Sequence, residues 1–150
     1  MKIEILDSFE SVSEAQLVEF EKDFRCVLPN EYRTFLEQNN GGMPSLHDFK
    51  VNGEYFCDIG WFFGVRGYLA THDIKTENIE ARELMPDSYL AIGVSYGGNL
   101  ICLCIDNTDY GAVYCWDHEL ANYDGPASDD CMLKISDTFG EFLCSLYTEE

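Results

Sequence analysis

Six consecutive apolar residues, Leu100-Ile101-Cys102-Leu103-Cys104-Ile105, form the longest apolar run of the chain. A short run that is apolar on both faces is typical of a strand at the centre of a sheet, covered on each side. Turn-forming residues flank the run at 95–99 and 106–111, and residues 89–94 and 112–118 have strand character beyond those turns. The pattern predicts three consecutive antiparallel strands with the apolar run in the middle.

Two helices are predicted before this sheet region. Ser13 and Gln16 form a capping box, and apolar residues then recur on one helical face. Pro29 stops this first helix and begins the second, because the start of a helix needs no backbone donor at that position. The second helix is predicted to end at Asn39-Asn40-Gly41-Gly42, since Asn and Gly accept the left-handed geometry of a helix C-terminus. The two helices should form a hairpin that buries its aromatic side chains.

The region between the helical hairpin and the sheet mixes strand and helix signals. Residues 47–51 and 54–58 flank Asn52-Gly53, which is a strong signal for a β-hairpin. Residues 73–83 predict a third, weakly amphipathic helix with Ile74, Ile79 and Leu84 on its apolar face. The aromatic residues between Gly60 and Gly64 could form part of the core or an exposed docking patch, and contiguous aromatics favour the core.

A final helix is predicted to follow Ser136 as its N-cap, after a polar, turn-rich segment at 119–130. The elements together predict an α+β fold. We expect a single domain over residues 1–150, with a mainly antiparallel sheet flanked by helices, an N-terminal helical hairpin and a C-terminal helix.

Acidic residues dominate the charge. The chain of 150 residues contains 28 Asp and Glu against 9 Lys and Arg, which gives a formal net charge of −19. This charge repels phosphate backbones and anionic lipid surfaces, so neither a nucleic acid nor a membrane is predicted as a partner, whereas a basic protein would be attracted.

Cysteine usage and the absence of targeting signals bear on the cellular compartment. The start of the chain lacks the cationic and apolar regions of a signal peptide, and no apolar run reaches the roughly 20 residues that span a bilayer. The seven cysteines are an odd number without the spacing of a disulfide framework. We expect free thiols and a cytoplasmic location.

Candidate catalytic and metal-binding groups are few. Cys102 and Cys104 share a strand face, and Cys115 with His118 could add two ligands, but the paired spacings of zinc sites do not occur. Small buried side chains on strands explain these cysteines better. None of the three histidines lies in a catalytic motif. The sequence therefore predicts no catalytic residue, no metal site and no cofactor.

The strongest candidate for a binding site is the window between Glu83 and Cys131, which contains no Lys or Arg. Acidic residues in turns can steer a basic partner, and interleaved Tyr and Trp residues can supply contact area after docking. The alternative is an acidic face that serves only solubility. The predicted contact residues are Asp106, Asp109, Tyr110, Trp116, Asp117, Glu119, Tyr123, Asp124, Asp129 and Asp130.

Three blocks of sequence together resemble the SUKH superfamily, which includes the fungal Smi/Knr cell-wall regulators and many bacterial immunity proteins. The first block is Leu28-Pro29-Asn30-Glu31-Tyr32-Arg33-Thr34-Phe35-Leu36 followed by Asn40-Gly41-Gly42; the second runs from Leu90-Ala91-Ile92-Gly93 through Gly97-Gly98-Asn99 to Val113-Tyr114-Cys115-Trp116-Asp117-His118-Glu119; the third is Ser136 with Phe139-Gly140-Glu141-Phe142-Leu143.

The resemblance implies a single α+β domain without catalysis or cofactor. The resemblance also implies which residues determine the fold, namely Pro29, Tyr32, Phe35, Gly98, Trp116 and Phe142. For Trp116, Asp117 and Glu119 both a structural and a binding role stay open. For bacterial members the resemblance implies neutralisation of a toxin, often a nuclease, that a rival cell delivers.

Three functional hypotheses follow. The first is an immunity-type protein that binds a basic toxin domain and occludes its cationic active-site cleft. The second is a regulatory scaffold for a cellular partner, as for the fungal members. The third is a hydrolase, for which His118 is the residue to test. The oligomeric state and the identity of the partner stay open at this stage.

Overall fold

The computed structural model describes residues 3–51, 53, 55–67, 69–120 and 129–148. These residues form four α-helices and nine strands. The helices are α1 (Glu14–Phe24), α2 (Asn30–Gln38), α3 (Ile74–Ala81) and α4 (Phe139–Ser145). The strands are β1 (Ile5–Leu6), β2 (Met43–Pro44), β3 (Asp48–Val51), β4 (Tyr55–Asp58), β5 (Trp61–Phe62), β6 (Tyr89–Val94), β7 (Leu100–Cys104), β8 (Val113–Trp116) and β9 (Met132–Ser136).

Strand β7 is the centre of the molecule. It lies in the middle of a five-stranded antiparallel sheet with the order β5-β6-β7-β8-β9, and all of its residues are buried. Two smaller sheets are formed by β1 with β2 and by β3 with β4. The predicted three-stranded meander, the hairpin around Gly53 and the α+β class are confirmed.

Strand β9 and the start of α4 differ from the prediction. Ser136 ends a strand that pairs with β8, so it does not cap the final helix. The N-cap of α4 is Thr138, whose hydroxyl accepts a hydrogen bond from the Glu141 backbone N–H at 3.1 Å. The prediction missed β9 because this strand pairs with β8, from which it is separated by a long segment. No short turn between the two strands marks the pairing in the sequence.

The N-terminal helices begin where the caps predict. Ser13 and Gln16 form the capping box of α1, and α2 begins directly after Pro29. Helix α1 ends before Pro29, however, because Arg25 adopts the left-handed conformation with φ 53°. At the end of α2, Asn39 is extended, and the positive φ angles fall two residues later, at Gly41 and Gly42.

One arginine ties the helical hairpin together. The Arg33 guanidinium on α2 donates to the Glu14 carboxylate on α1 at 2.6 and 2.8 Å, and it lies 3.2 Å from Glu37 one turn along its own helix. This arrangement confirms the predicted hairpin and uses one of the few cations of the chain inside the fold.

Aromatic side chains from α2, α4 and β5 form the core on one face of the large sheet. The Phe35 ring lies 4.9 Å from Phe62 and 5.1 Å from Phe139, measured between centroids, and the Tyr32 ring lies 5.2 Å from Phe139. Phe62 and Phe63 are completely buried, so the aromatics of the 60–64 segment are core residues, as favoured.

None of the helices in the described ranges has the length and apolarity needed to cross a bilayer.

Helix α3 covers part of the sheet with a buried amide instead of the predicted isoleucine. Asp73 caps this helix by accepting a hydrogen bond from the Thr76 backbone N–H. Ile74 is completely buried as predicted, but Ile79 is 49% exposed, so its assignment to the apolar face is wrong. Asn78 is buried in its place and bonds both backbone groups of Ala91 on β6, at 2.7 and 2.8 Å. An amide is tolerated at this buried position because it satisfies the backbone N–H and carbonyl of Ala91, which lies beside the bulge in β6.

A second buried asparagine connects the N-terminal segment to the loop after β5. The Asn40 amide donates to the carbonyls of Glu10 at 2.9 Å and Val65 at 2.8 Å, and it accepts from the Val65 N–H at 2.7 Å. Three long-range bonds from one buried side chain make it a strong constraint on this part of the fold.

We predict that Asn40→Ala lowers the free energy of unfolding by about 3 kcal/mol, because it leaves buried backbone groups without partners. Urea unfolding followed by circular dichroism measures the change. Asn39→Ala is the control and should change stability by less than about 0.5 kcal/mol. Equal losses for the two variants would show that the Asn40 bonds do not stabilise the fold.

Candidate partner-binding surface

The structure divides the predicted contact residues between the two ends of the β7–β8 pair. Leu100 at the start of β7 pairs with Trp116 at the end of β8, so the turn joining the strands lies at the opposite end of the sheet. At about 3.3 Å per strand residue, the two ends are roughly 15 Å apart. The turn end carries Asp106, Asp109 and Tyr110, and the exit end carries Trp116, Asp117, Glu119 and Asp130.

The turn end holds ionised carboxylates. The Ser88 hydroxyl and the Thr108 backbone N–H donate to the Asp106 carboxylate, and these bonds lower its pKa to about 2. The Asp109 carboxylate accepts from Lys134 at 2.8 Å and from the Tyr114 hydroxyl at 2.7 Å, and these two donors, Lys134 foremost, also lower its pKa. Both carboxylates are therefore charged at neutral pH.

Lys134 changes the charge balance that the sequence window suggests. No Lys or Arg lies between Glu83 and Cys131, but pairing of β9 with β8 brings Lys134 against Asp109. Asp109 therefore contributes less to the negative potential of the turn end than Asp106 does.

Tyr110 is the accessible aromatic residue of the turn end. Its side chain is 48% exposed, and its hydroxyl donates to the Val27 carbonyl at 2.6 Å. The bond holds the ring in place against the segment that follows α1. A restrained, half-exposed tyrosine offers contact area at low entropic cost.

The exit end is less accessible than predicted. Trp116 is only 3% exposed and Asp117 only 6%, so the structure places both in the interior of the fold. The Asp117 carboxylate accepts from the Glu119 backbone N–H at 3.0 Å, which shapes the turn after β8. Trp116 thus presents no contact area to a partner: it pairs with Leu100 on β7 and Met132 on β9 and belongs to the hydrophobic core.

Glu119 and Asp130 are the exposed predicted residues of the exit end. Tyr123 and Asp124 lie outside the described residues, and Asp129 lies in a short 3-10 turn at 129–131. The exposed aromatic residue that sequence reasoning missed at this end is Tyr96, which is 64% exposed and whose backbone N–H donates to the Asp58 carboxylate at 3.0 Å.

The candidate metal-binding and catalytic groups have other contacts. The Cys102 sulfur lies 3.4 Å from the Met85 sulfur, whereas the Cys104 sulfur lies 3.4 Å from the Asp106 carboxylate. The His118 ring nitrogen Nδ1 lies 2.6 Å from the Asn99 side-chain oxygen. Across the described ranges, no three His, Cys, Asp or Glu side chains come together to hold a metal ion.

A groove that the sequence does not reveal runs along the C-terminal half of α1. It consists of two clefts of about 650 and 780 Å³, and Arg25 and Ile105 line both of them. We call this feature the α1 groove. The first cleft also includes Arg82, Asp87 and Asp106, and the second includes Tyr110, so the groove adjoins the turn end.

Exposed apolar side chains line the open part of the α1 groove. Val18 on α1 and Val27 after it are 47% and 70% exposed, and both lie beside Tyr110. No local signal marks these residues, because a single exposed valine is ordinary and its grouping with others depends on tertiary packing.

The fold and its charge distribution define a small α+β domain with acidic strand ends and a groove beside one of them. The chain belongs to the SMI1/KNR4 family (SUKH-1), whose family model matches residues 11–145. The match confirms the resemblance found in the sequence blocks.

One relative is the SPbeta prophage-derived uncharacterized protein YokK of Bacillus subtilis (strain 168). The two sequences are 30% identical over 152 aligned residues, which cover 89% of this chain and 74% of the relative. The likeness therefore extends over most of both proteins.

We predict that the Asp106 carboxyl group titrates near pH 2 and that Ser88→Ala moves its pKa toward the ordinary value of 3.8. A lowered pKa means that the contribution of this carboxylate to stability is present above the ordinary value and is lost as the pH falls through about 2. Carbon-13 NMR of the carboxyl group measures the midpoint. Ser95→Ala, at the other end of the sheet, should leave the midpoint unchanged; a shift with Ser95→Ala or none with Ser88→Ala would contradict the assignment.

Proposed function

We propose that this chain is a non-catalytic immunity protein that binds a basic toxin domain, of nuclease type, and occludes its active-site cleft. The observation that carries the proposal is the excess of 28 acidic over 9 basic residues on a SUKH-1 fold. A nuclease cleft must be cationic to hold a phosphate backbone, and an acidic protein surface competes for the same cations.

The ion pairs inside the fold support this proposal. Arg33, Lys75 and Lys134 are held by acidic side chains of the chain itself, at 2.6, 3.4 and 2.8 Å. These three pairs leave six basic residues in the chain against its 28 acidic ones. The field of the molecule is therefore negative, which accelerates encounter with a basic domain and disfavours acidic ones.

The proposed binding has two stages. Long-range attraction brings the basic domain to the acidic surface at a rate that falls as salt is added. Contacts at the turn end, which carries charged Asp106 and half-exposed Tyr110, then slow dissociation. Inhibition follows from coverage of the toxin cleft, so the inhibitor itself needs no reactive group.

We predict that the adjacent gene encodes a toxin and that this chain protects cells that express it. Co-expression should restore growth, and the purified proteins should elute together in size-exclusion chromatography at about 150 mM salt. Hen lysozyme, a basic protein of similar size, is the control and should not elute with the chain under these conditions. Growth arrest despite stable co-expression, or a complex in which the toxin keeps full activity, would refute the proposal.

Matched pairs of charge removals locate the contact. We predict that Asp87→Asn with Asp106→Asn slows association by about threefold to tenfold at low salt and weakens its salt dependence, because both carboxylates line the groove at the turn end. Glu119→Gln with Asp130→Asn removes the same charge at the exit end and should change the rate less than about twofold. Stopped-flow fluorescence measures both. A larger effect of the exit-end pair would place the contact there instead.

A further inference from the structure

Basic residues without ion pairs are unusual in so acidic a chain. With 28 acids for 9 bases, each cation has several potential partners. Arg33, Lys75 and Lys134 each form an ion pair with an acidic side chain. Lys22, Arg25, Lys50, Arg66 and Arg82 form no ion pair with any residue that the structure describes, although Lys50 lies over the Phe56 ring.

Three of these five cations line the α1 groove. Arg25 and Arg82 line its first cleft, and Lys22 lines the second together with Arg25. Asp23, Asp87 and Asp106 also line the first cleft, where Asp23 lies 3.4 Å from Lys75 and Asp106 accepts the bonds from Ser88 and Thr108. Arg25 and Arg82 form no ion pair with these acids in the part of the chain that the structure describes, so both guanidinium groups are available to an anion that enters the cleft.

The backbone of Arg25 adds an independent observation. Arg25 has φ 53° and ψ 45° at the end of α1, and the next backbone N–H, that of Cys26, donates to the Glu21 carbonyl at 3.0 Å. This is the helix-ending geometry at which glycine is the usual residue, because a side chain is unfavourable there. An arginine held in this conformation costs folding free energy, and such residues cluster at functional sites.

The walls of the groove show which kind of ligand fits. Phe24, Met85 and Tyr89 line the first cleft, and the open second cleft adds exposed Val18 and Val27. The two clefts, of about 650 and 780 Å³, share Arg25 and Ile105 in their lining and are larger than a small carboxylate requires, which leaves room for a polypeptide segment.

We propose that the α1 groove binds a segment of the partner protein that presents an acidic side chain, with its carboxylate held between Arg25 and Arg82. Val18, Val27 and Tyr110 take the apolar neighbours of that side chain, and Asp87 meets flanking basic residues. The identity of the segment as part of a toxin rests on the proposed function. An acidic anchor within a basic surface also gives specificity, because a uniformly basic protein has nothing to pair with the two arginines.

Glycine at position 25 separates a binding role from a structural one. Arg25→Gly should raise the melting temperature, because it relieves the left-handed backbone, and weaken binding of the partner by about tenfold or more. Arg66→Gly is the matched control: Arg66 also has a positive φ, 60°, but lines a different cleft. It should raise the melting temperature similarly without changing affinity. Arg82→Gln should weaken binding by a similar factor with the melting temperature unchanged.

Isothermal titration with the toxin domain of the adjacent gene measures these affinities. If the toxin binds but Arg25→Gly and Arg82→Gln leave its affinity unchanged, the groove assignment is overturned while the proposed function stands. A fall in melting temperature for Arg25→Gly would likewise overturn it, since the arginine would then serve the fold.

A peptide pair tests the groove if that toxin does not bind. The probes are acetyl-Lys-Phe-Asp-Leu-Lys-amide and its analogue with Asn in place of Asp, titrated into nitrogen-15-labelled protein. The Asp peptide should shift the amide signals of Arg25 and Arg82 and bind about tenfold more tightly than the Asn peptide. Equal binding, shifts confined to other regions, or sodium acetate binding as tightly as the Asp peptide would each overturn the proposal.

Discussion

Burial of β7 on both faces is the constraint on which the other features depend. A strand that is covered on each side must have apolar residues throughout, and it excludes charge from the middle of the sheet. The acidic residues of the β7–β8 region are therefore confined to the turn after β7 and to the segment after β8. Two acidic ends, separated by the length of the strand, are a direct consequence of one buried element.

The net charge of −19 reduces the stability of the fold, and ion pairs of its basic residues partly offset this loss. Like charges on a small domain repel each other and reduce stability. Arg33 joins the two N-terminal helices, and Lys134 joins β9 to the turn after β7, so both lie where two elements meet. Of the five cations that form no such pair among the described residues, Lys22, Arg25 and Arg82 line the α1 groove.

Stability and binding make opposite demands at the end of α1. Glycine would end the helix at lower cost, whereas arginine supplies a charge beside a cleft. The buried amides of Asn40 and Asn78 show the contrasting case, since each satisfies backbone groups that would otherwise be unpaired. Polar residues in the interior thus fix the fold, whereas Arg25 at the end of α1 is the strained residue at which we propose binding.

Local patterns in the sequence determined much of the architecture. The capping box at Ser13, the start of α2 after Pro29, the hairpin around Gly53 and the central apolar strand all follow from interactions within a few residues, so they are legible without coordinates. The motifs that resemble the family could be recognised for the same reason, since each spans only a few residues. Only the tertiary structure decided that Trp116 is buried, that Lys134 reaches Asp109 and that Arg25 and Arg82 share a cleft. These facts depend on which distant segments pack together, and no period or spacing along the chain encodes that.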